Sequence, residues 1–377
     1  MEIKNVTIIG LGTLGGSLGL AIKKFSPEII VTGIDKASVL VRAKNLGAID
    51  NGCLYNELNV GLQNADLVIL ATSIRGIQDI LPKIALYLKD GSIVTDTGMT
   101  KRQICEIAKK SLRDNITFIG GHPLVGYKRG GIGLSNPYIF SNNPYILTPI
   151  DESPSELDIL KPLIESIGAR VFVMNPVIHD RLMGEINSVL QIIAIAHTNS
   201  IFCDLDEGFI DVATVLGGER FRNFSQPLLV EPYYWEEVFK SNLDVIKNHI
   251  EKLNKNLKKI IESLDSEDTG DFYKLYEKAK AYISKVPMYK KGFQSKLHYL
   301  YVTIEDKPGS IAKLTSIIAE KGYDIRDIEL VKIKENEVVL IKVAFKSQSI
   351  ASKVGKLLME KGYRYNMYIS YDFDGIY

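Results

Sequence analysis

Two glycines and a proline surround His122 in the run Gly120-Gly121-His122-Pro123, directly after the β-type residues 116–119. An imidazole is suited to proton transfer near neutral pH. Pro123 stiffens the loop, while Gly121 and Gly126 permit backbone turns that a bulkier residue resists. From these residues alone two readings stay open: a proton acceptor on a rigid loop, or a polar residue caught in a turn. A second group with evident chemistry is "GLGTLGGS", where Gly10, Gly12 and Gly15 have the spacing G-x-G-x-x-G. The motif follows a β run and opens a helical pattern, the context that gives it meaning. Gly10 allows the tight turn, Gly12 lets the backbone approach a pyrophosphate, and Gly15 brings the helix close to the strand. Thr13 and Leu14 fall on the first helical turn, whose N–H groups face the phosphates. Asp35 lies twenty residues beyond Gly15. Its carboxylate is placed to accept from ribose hydroxyls and to repel a 2′-phosphate, which favours NAD over NADP; Lys36 beside it softens that preference. Thr72 ends a further β run and joins the expected cofactor residues. A nicotinamide cofactor implies hydride chemistry, with the protein supplying orientation.

Those residues must be positioned by a larger scaffold. "VTIIG" (6–10), "IIVTGID" (29–35), "ADLVILAT" (65–72) and "SIVTD" (92–96) are continuous apolar β runs, as in strands buried on both faces of a parallel sheet. Helical patterns lie between them, near 14–25, 38–47, 76–88 and 101–111. The expected fold class is therefore α/β: a Rossmann-type doubly wound sheet over 1–152. After "DESPSE" helical patterns predominate, giving an all-helical domain over 153–286. One helix is expected from His179 to Phe202. Another runs from Glu236 to Leu264, where Phe239, Leu243, Ile246, Ile250, Leu253, Leu257, Ile260 and Leu264 recur in steps of four and three. That seam fits either a helix packed within its own domain or a subunit interface, and a homodimer is expected. A third helix covers 271–284. A polar linker (286–296) leads to a block reading βαββαβ over 297–377, a ferredoxin-like unit.

Composition excludes several function classes. The chain has 46 basic and 45 acidic residues, net charge +1, so no global field favours nucleic acid or an anionic membrane. Cys53, Cys105 and Cys203 are scattered without metal-ligand spacing, which fits a reducing, cytoplasmic setting. The most apolar segment, 182–202, contains Glu185, Asn187, Gln191, His197 and Asn199, and reads as a buried helix rather than a membrane span. His179 reads as structural, with Asp180 favouring the positive end of its helix. His197 reads as a core residue, His249 as one on a solvated face, and His298 as the entry to the last domain. No metal site is expected.

"TDTGMTK" (95–101), "GGHPLVGYKRGGIGLSNPYIF" (120–140) and "YILTP" (145–149) together resemble the prephenate/arogenate dehydrogenase family. "HDRLMGEINS" (179–188) and "FRNFSQPLLVEPYYWEEV" (221–238) resemble its helical domain, which implies that 153–286 is the substrate and dimerisation domain. The resemblance implies NAD-linked oxidative decarboxylation of a cyclohexadienyl acid, with His122 accepting the hydroxyl proton. It also marks departures. The family's serine before the "TK" pair is Met99, a thioether that donates no hydrogen bond; Thr97 and Thr100 are the neighbouring hydroxyls, and Thr100 is the expected second catalytic residue. A family histidine aligns with Gln191 and a family arginine with Gln226, both expected at the substrate. Prephenate carries two carboxylates that need compensating charge in a partly dry pocket. Lys101 and Arg222 are the expected cations, with Arg220, Lys128 and Arg129 as further sources. Arogenate, whose ammonium offsets one carboxylate, fits the loss of cations.

"LYVTIEDKPGSIAKLTSIIAEKGYDIRDIEL" (300–330) resembles an ACT domain, which implies regulation by an amino-acid effector, tyrosine being the natural one. Asp306, Pro308 and Gly309 form the expected regulatory loop at a helix start. Two alternatives remain: a related dehydrogenase acting on another hydroxy acid, and a non-catalytic sensor of NAD and an amino acid.

Overall fold

The computed structural model describes residues 2–126, 130–151, 154–203, 205–285, 297–334 and 338–367. They form two compact units, Met1–Lys278 and Ala279–Tyr377. The first unit holds eight strands: β1 (Asn5–Ile9), β2 (Ile30–Ile34), β3 (Asn51–Cys53), β4 (Leu67–Leu70), β5 (Ile93–Asp96), β6 (Thr117–Pro123), β7 (Pro144–Pro149) and β8 (Arg170–Val173). Their order is β3-β2-β1-β4-β5-β6-β7-β8, a doubly wound sheet with the reversal beside β1. All neighbours run parallel except β6 and β7, which are antiparallel and pair His122 with Ile146. Alternation along the strands splits the core: Val6, Ile8, Leu67 and Ile69 belong to one apolar cluster, and Ile9, Val68, Leu70 and Val94 to another. Because successive strand side chains point to opposite faces, helices must cover both sides.

The helices of this unit are α1 (Thr13–Phe25), α2 (Ala37–Asn45), α3 (Leu58–Leu62), α4 (Ile74–Ile84), α5 (Arg102–Ser111), α6 (Leu157–Ser166), α7 (Pro176–Met183), α8 (Val189–Phe202), α9 (Glu207–Ser225), α10 (Pro232–Ser241), α11 (Leu243–Asp265) and α12 (Gly270–Ile283), the last running past the unit's edge. Sheet structure continues beyond the expected boundary at residue 152, because α6 and β8 extend it to Val173. Three of the four residues of β8 are exposed, so it lacks the continuous apolar signature of an inner strand. The expected helix 179–202 is divided by a π-helical turn at Gly184–Ser188. The expected helix 236–264 breaks at Asn242, whose side chain turns to donate to the Asp180 carbonyl at 2.7 Å. Helix α9 was not visible as a pattern: none of its residues is buried, and Gly218 at φ 55° interrupts it.

The second unit contains β9 (His298–Glu305), α13 (Ser310–Glu320), β10 (Asp327–Lys334), β11 (Val338–Phe345), α14 (Gln348–Glu360) and β12 (Arg364–Asn366). The strand order β10-β11-β9-β12 is antiparallel throughout, as a βαββαβ ferredoxin-like fold requires. Leu300, Val302 and Ile304 pack with Leu314, Ile318, Val354 and Leu358 of the two helices. The expected linker 286–296 and the last part of the expected final strand lie outside the described residues.

Candidate active site

Gly10 leaves β1 at φ +91°, in the left-handed region that L side chains rarely adopt. Gly15 sits behind it, and a Cβ there would stand 1.9 Å from the Gly10 carbonyl oxygen, so helix α1 touches the turn. Nothing lies within 4 Å of the position a Cβ would take at Gly12, leaving the helix N-terminus open to a phosphate group. A cleft of about 360 Å³ opens there. Gly10, Gly12, Thr13, Leu14, Asp35 and Thr72 line it, together with Tyr55, Thr97, Gly98 and Met99. Asp35 is fixed by the Leu11 N–H, which donates to its Oδ2 at 2.6 Å, and by the Lys36 N–H, which donates to Oδ1 at 2.7 Å. Burial, with the Asp35 charge nearby, pushes the Tyr55 phenol up to about 12. These features fit a dinucleotide: an open helix start for pyrophosphate and an anchored carboxylate at the ribose end. The far wall comes from α10, through Tyr234 and Val238. Thr13 Oγ1 donates to the Gly131 carbonyl at 3.0 Å, strapping the loop after the histidine segment to α1.

His122 lies at the carboxyl end of β6, where open α/β sheets bind ligands. Neighbouring β5 leads directly into Thr97, Gly98 and Met99 at the cleft. His122 is only 4% exposed, and its Nδ1 lies 2.8 Å from Nε2 of His179. His179 is wholly buried and places Nδ1 2.8 Å from Asp180 Oδ1. Burial, aided by His179 and the Lys101 charge, holds the His122 imidazole well below the ordinary histidine range. Burial also lowers His179, against the opposing pull of Asp180. Helix α7 delivers His179 because Asn175 caps its start, accepting from the Val177 N–H at 2.7 Å, with Pro176 in the first turn. Asp180 in turn accepts from the Lys101 and Arg102 N–H groups at 2.7 and 2.9 Å, serving the N-terminus of α5 rather than that of its own helix.

The other expected site residues occupy varied settings. Lys101 is fully buried, and its ammonium is held by the Asp96 carboxylate and the Gly121 carbonyl. Asp96 also accepts from the Gly98 N–H at 2.7 Å and the Gly121 N–H at 3.0 Å. Lys101 therefore stands as a brace between β5 and β6 beneath His122, in place of the expected open cation. The Thr100 hydroxyl is buried 2.8 Å from Ser241 Oγ, so it joins α10 to the β5 loop instead of meeting His122. Gln191 is buried on α8. Arg222 and Gln226 are exposed on α9 and the 3-10 turn that follows. Lys128 and Arg129 lie outside the described residues. Sequence reasoning left out His179 as a partner of His122; the "HD" pair was its only local signal. In the second unit Gly309 has φ +89° directly before α13, with Asp306 and Pro308 in the preceding loop. Among the described residues no His, Cys, Asp and Glu group is placed to hold a metal ion, and no helix is long and apolar enough to cross a membrane.

The depressed histidines carry a stability signature. The unfolded chain protonates these imidazoles near the ordinary value of 6.5, whereas the folded one resists. Below that pH the unfolded state binds more protons, so stability is complete above it and falls as pH drops toward the folded values. Melting of the full chain between about pH 8 and pH 5.5 should show Tm falling on the acid side, less steeply in a His122→Asn variant. Parallel profiles for the two proteins would show that His122 is not held neutral by burial.

The family model for the nucleotide-binding domain of prephenate dehydrogenase matches residues 18–173, and that for its dimerization domain matches residues 175–278. The chain belongs to the prephenate dehydrogenase family. An ACT domain model matches residues 298–372. The glycine turn at Gly10–Gly15 precedes the first match, so its reading rests on geometry. Membership makes the chain an oxidoreductase with a nucleotide-binding domain, a dimerisation domain and an ACT domain. It is 27% identical to prephenate dehydrogenase of Bacillus subtilis, covering 91% of this chain and 92% of that one. It is 28% identical to the Lactococcus lactis prephenate dehydrogenase, covering 89% and 90%. Among solved structures, prephenate dehydrogenase of Aquifex aeolicus in complex with hydroxyphenyl propionate and NAD+ matches with TM-score 0.69 and 23% identity, over 76% of this chain and 99% of that one. Synechocystis arogenate dehydrogenase matches with TM-score 0.67 and 24% identity, over 75% and 100%. At such identities the structural likenesses establish the shared fold.

Proposed function

We propose that the chain is an NAD-dependent dehydrogenase that oxidatively decarboxylates prephenate or arogenate, with His122 as the proton acceptor. The observation that carries this reading is a buried imidazole, held well below the ordinary histidine range, at the carboxyl end of β6, next to the strand whose Thr97, Gly98 and Met99 line a cleft suited to a dinucleotide. NAD, when bound, supplies the acceptor for the ring carbinol's hydride. His122 takes the hydroxyl proton as the carbonyl develops. Loss of the ring carboxylate as carbon dioxide then aromatises the ring, giving 4-hydroxyphenylpyruvate from prephenate or tyrosine from arogenate. Burial of the imidazole keeps competing protons from the acceptor nitrogen. Asp35 favours NAD by repelling a 2′-phosphate. Gln191, Arg222 and Gln226 remain the residues read as facing the substrate, with Thr100 and Lys101 supporting the loop from within. The working assembly is a homodimer.

Arogenate is the second reading, favoured by one observation: the Lys101 ammonium is already neutralised by Asp96. A buried cation so paired offers little to a second carboxylate, and arogenate carries one negative charge fewer. Purified enzyme with NAD and each compound in turn separates the two. Faster NADH formation from arogenate supports it; fast formation from prephenate and none from arogenate removes it. For the ACT domain, tyrosine is the proposed effector, its carboxylate meeting the N–H groups at the start of α13 beside Asp306, Pro308 and Gly309. Calorimetry on the intact chain should show tyrosine binding coupled to lower turnover. Heat from neither tyrosine nor phenylalanine would remove sensing of these two ligands.

A further inference from the structure

We infer that Asp180 and His179 form a positioning dyad that holds His122 in the one tautomer whose Nε2 is free to receive a proton. This rests on the reading of His122 as the proton acceptor. An ionised carboxylate only accepts hydrogen bonds. Asp180 Oδ1 therefore accepts from His179 Nδ1 across 2.8 Å, and His179 carries its hydrogen on Nδ1. The Nε2 of neutral His179 is then an acceptor, and it lies 2.8 Å from His122 Nδ1. His122 Nδ1 must donate, which leaves the lone pair on Nε2. Each hydrogen bond in the row fixes the direction of the next, and the near-complete burial of both rings leaves little room for water to offer an alternative.

The dyad is itself anchored. The Lys101 and Arg102 N–H groups hold the two Asp180 oxygens separately, and the Arg102 Nε stands 3.5 Å from Oδ2. Asn242 donates to the Asp180 carbonyl at 2.7 Å, and Arg102 reaches on to Asp244. The start of α11 thus holds the Asp180 backbone, while the start of α5 holds its carboxylate. Two local facts give the dyad its importance in this chain. Position 99, where the resemblance places a serine, is a methionine that lines the cleft and cannot donate. The adjacent Thr100 hydroxyl is bonded to Ser241. Orientation of the imidazole falls to His179. When the substrate O–H bond breaks and the N–H bond forms at Nε2, His122 becomes an imidazolium, still donating from Nδ1 to His179. The Asp180 charge, one ring away, offsets the new positive charge.

Asp180→Asn tests this in the full-length enzyme. An amide NH2 in the place of Oδ1, where it displaces the Lys101 N–H, reverses every donor in the row and puts the hydrogen on His122 Nε2; an amide oxygen kept there leaves the row unchanged, and His179→Leu then carries the test. The expected result is a loss in kcat on the order of 10²- to 10⁴-fold, as wrong-tautomer exchanges produce in hydrolase triads, with KM and NAD affinity little changed. Histidine-selective 15N NMR reads the tautomer independently of turnover, with His122 assigned by its absence in His122→Asn. Wild type should show an unprotonated, pyridine-type Nε2, and Asp180→Asn a protonated one. Should Asp180→Asn not fold, His179→Leu removes the acceptor and should give a mixture of His122 tautomers with reduced kcat. A protonated Nε2 in wild type overturns the inference. So does full kcat in an Asp180→Asn enzyme whose His122 Nε2 is protonated, or a loss of stability and NAD affinity in His179→Leu with kcat and the His122 tautomer unchanged, which assigns the pair a bracing role only. If the wild type turns over no cyclohexadienyl acid yet shows the unprotonated Nε2, the proton-acceptor reading falls while the dyad stands.

Discussion

His122→Asn should lower kcat by about 10²- to 10⁴-fold, the usual worth of a positioned general base, while NAD binds as before. Asparagine keeps a donor for His179 but has no basic nitrogen to receive the hydroxyl proton. The cofactor contacts are spared because His122 is not itself among the described residues that line the cleft, to which the loop after its strand contributes Gly130 and Gly131. Titration of the variant with NAD by fluorescence, beside steady-state kinetics, separates the two effects. Turnover near the wild-type value would assign the proton to another group; loss of NAD affinity would mean that the substitution disturbed the β5–β6 edge.

The second large effect is on stability. Lys101→Met leaves the Asp96 carboxylate buried with two backbone N–H donors and no cation. Breaking a buried pair by removing one partner typically costs about 3–5 kcal/mol, because an uncompensated charge stays behind. The double variant Asp96→Asn, Lys101→Met removes both charges and should recover part of that loss, a coupling that a double-mutant cycle on denaturant midpoints measures. A single variant as stable as wild type would show that Lys101 does not neutralise Asp96. Activity should fall with stability here, since Gly121, bonded to both side chains through its N–H and carbonyl, precedes His122 directly.

What could be read in advance follows from how local each feature is. The glycine turn and Asp35 belong to one βαβ unit, so spacing alone brings them together, and the cleft contains them. The glycine-flanked setting of His122 was equally legible. Its partner was not: His179 lies 57 residues away, and the packing of α7 against α5 and β7 brings the rings together. Asp180 was assigned to its own helix start, the local choice, whereas tertiary packing sends it to the start of α5. Lys101 shows its charge in the sequence but not its burial, which depends on Asp96 and on the strand that carries Gly121. Helix α9 escaped notice because an exposed helix interrupted at Gly218 has no buried stripe to reveal it.

The most direct test of the proposed reaction is to supply wild-type enzyme and NAD with prephenate, and separately with arogenate, and to measure NADH and released carbon dioxide together. The expected result is equimolar formation of both from at least one compound, lost together in His122→Asn. NADH without carbon dioxide, or neither product from either compound, contradicts the assignment.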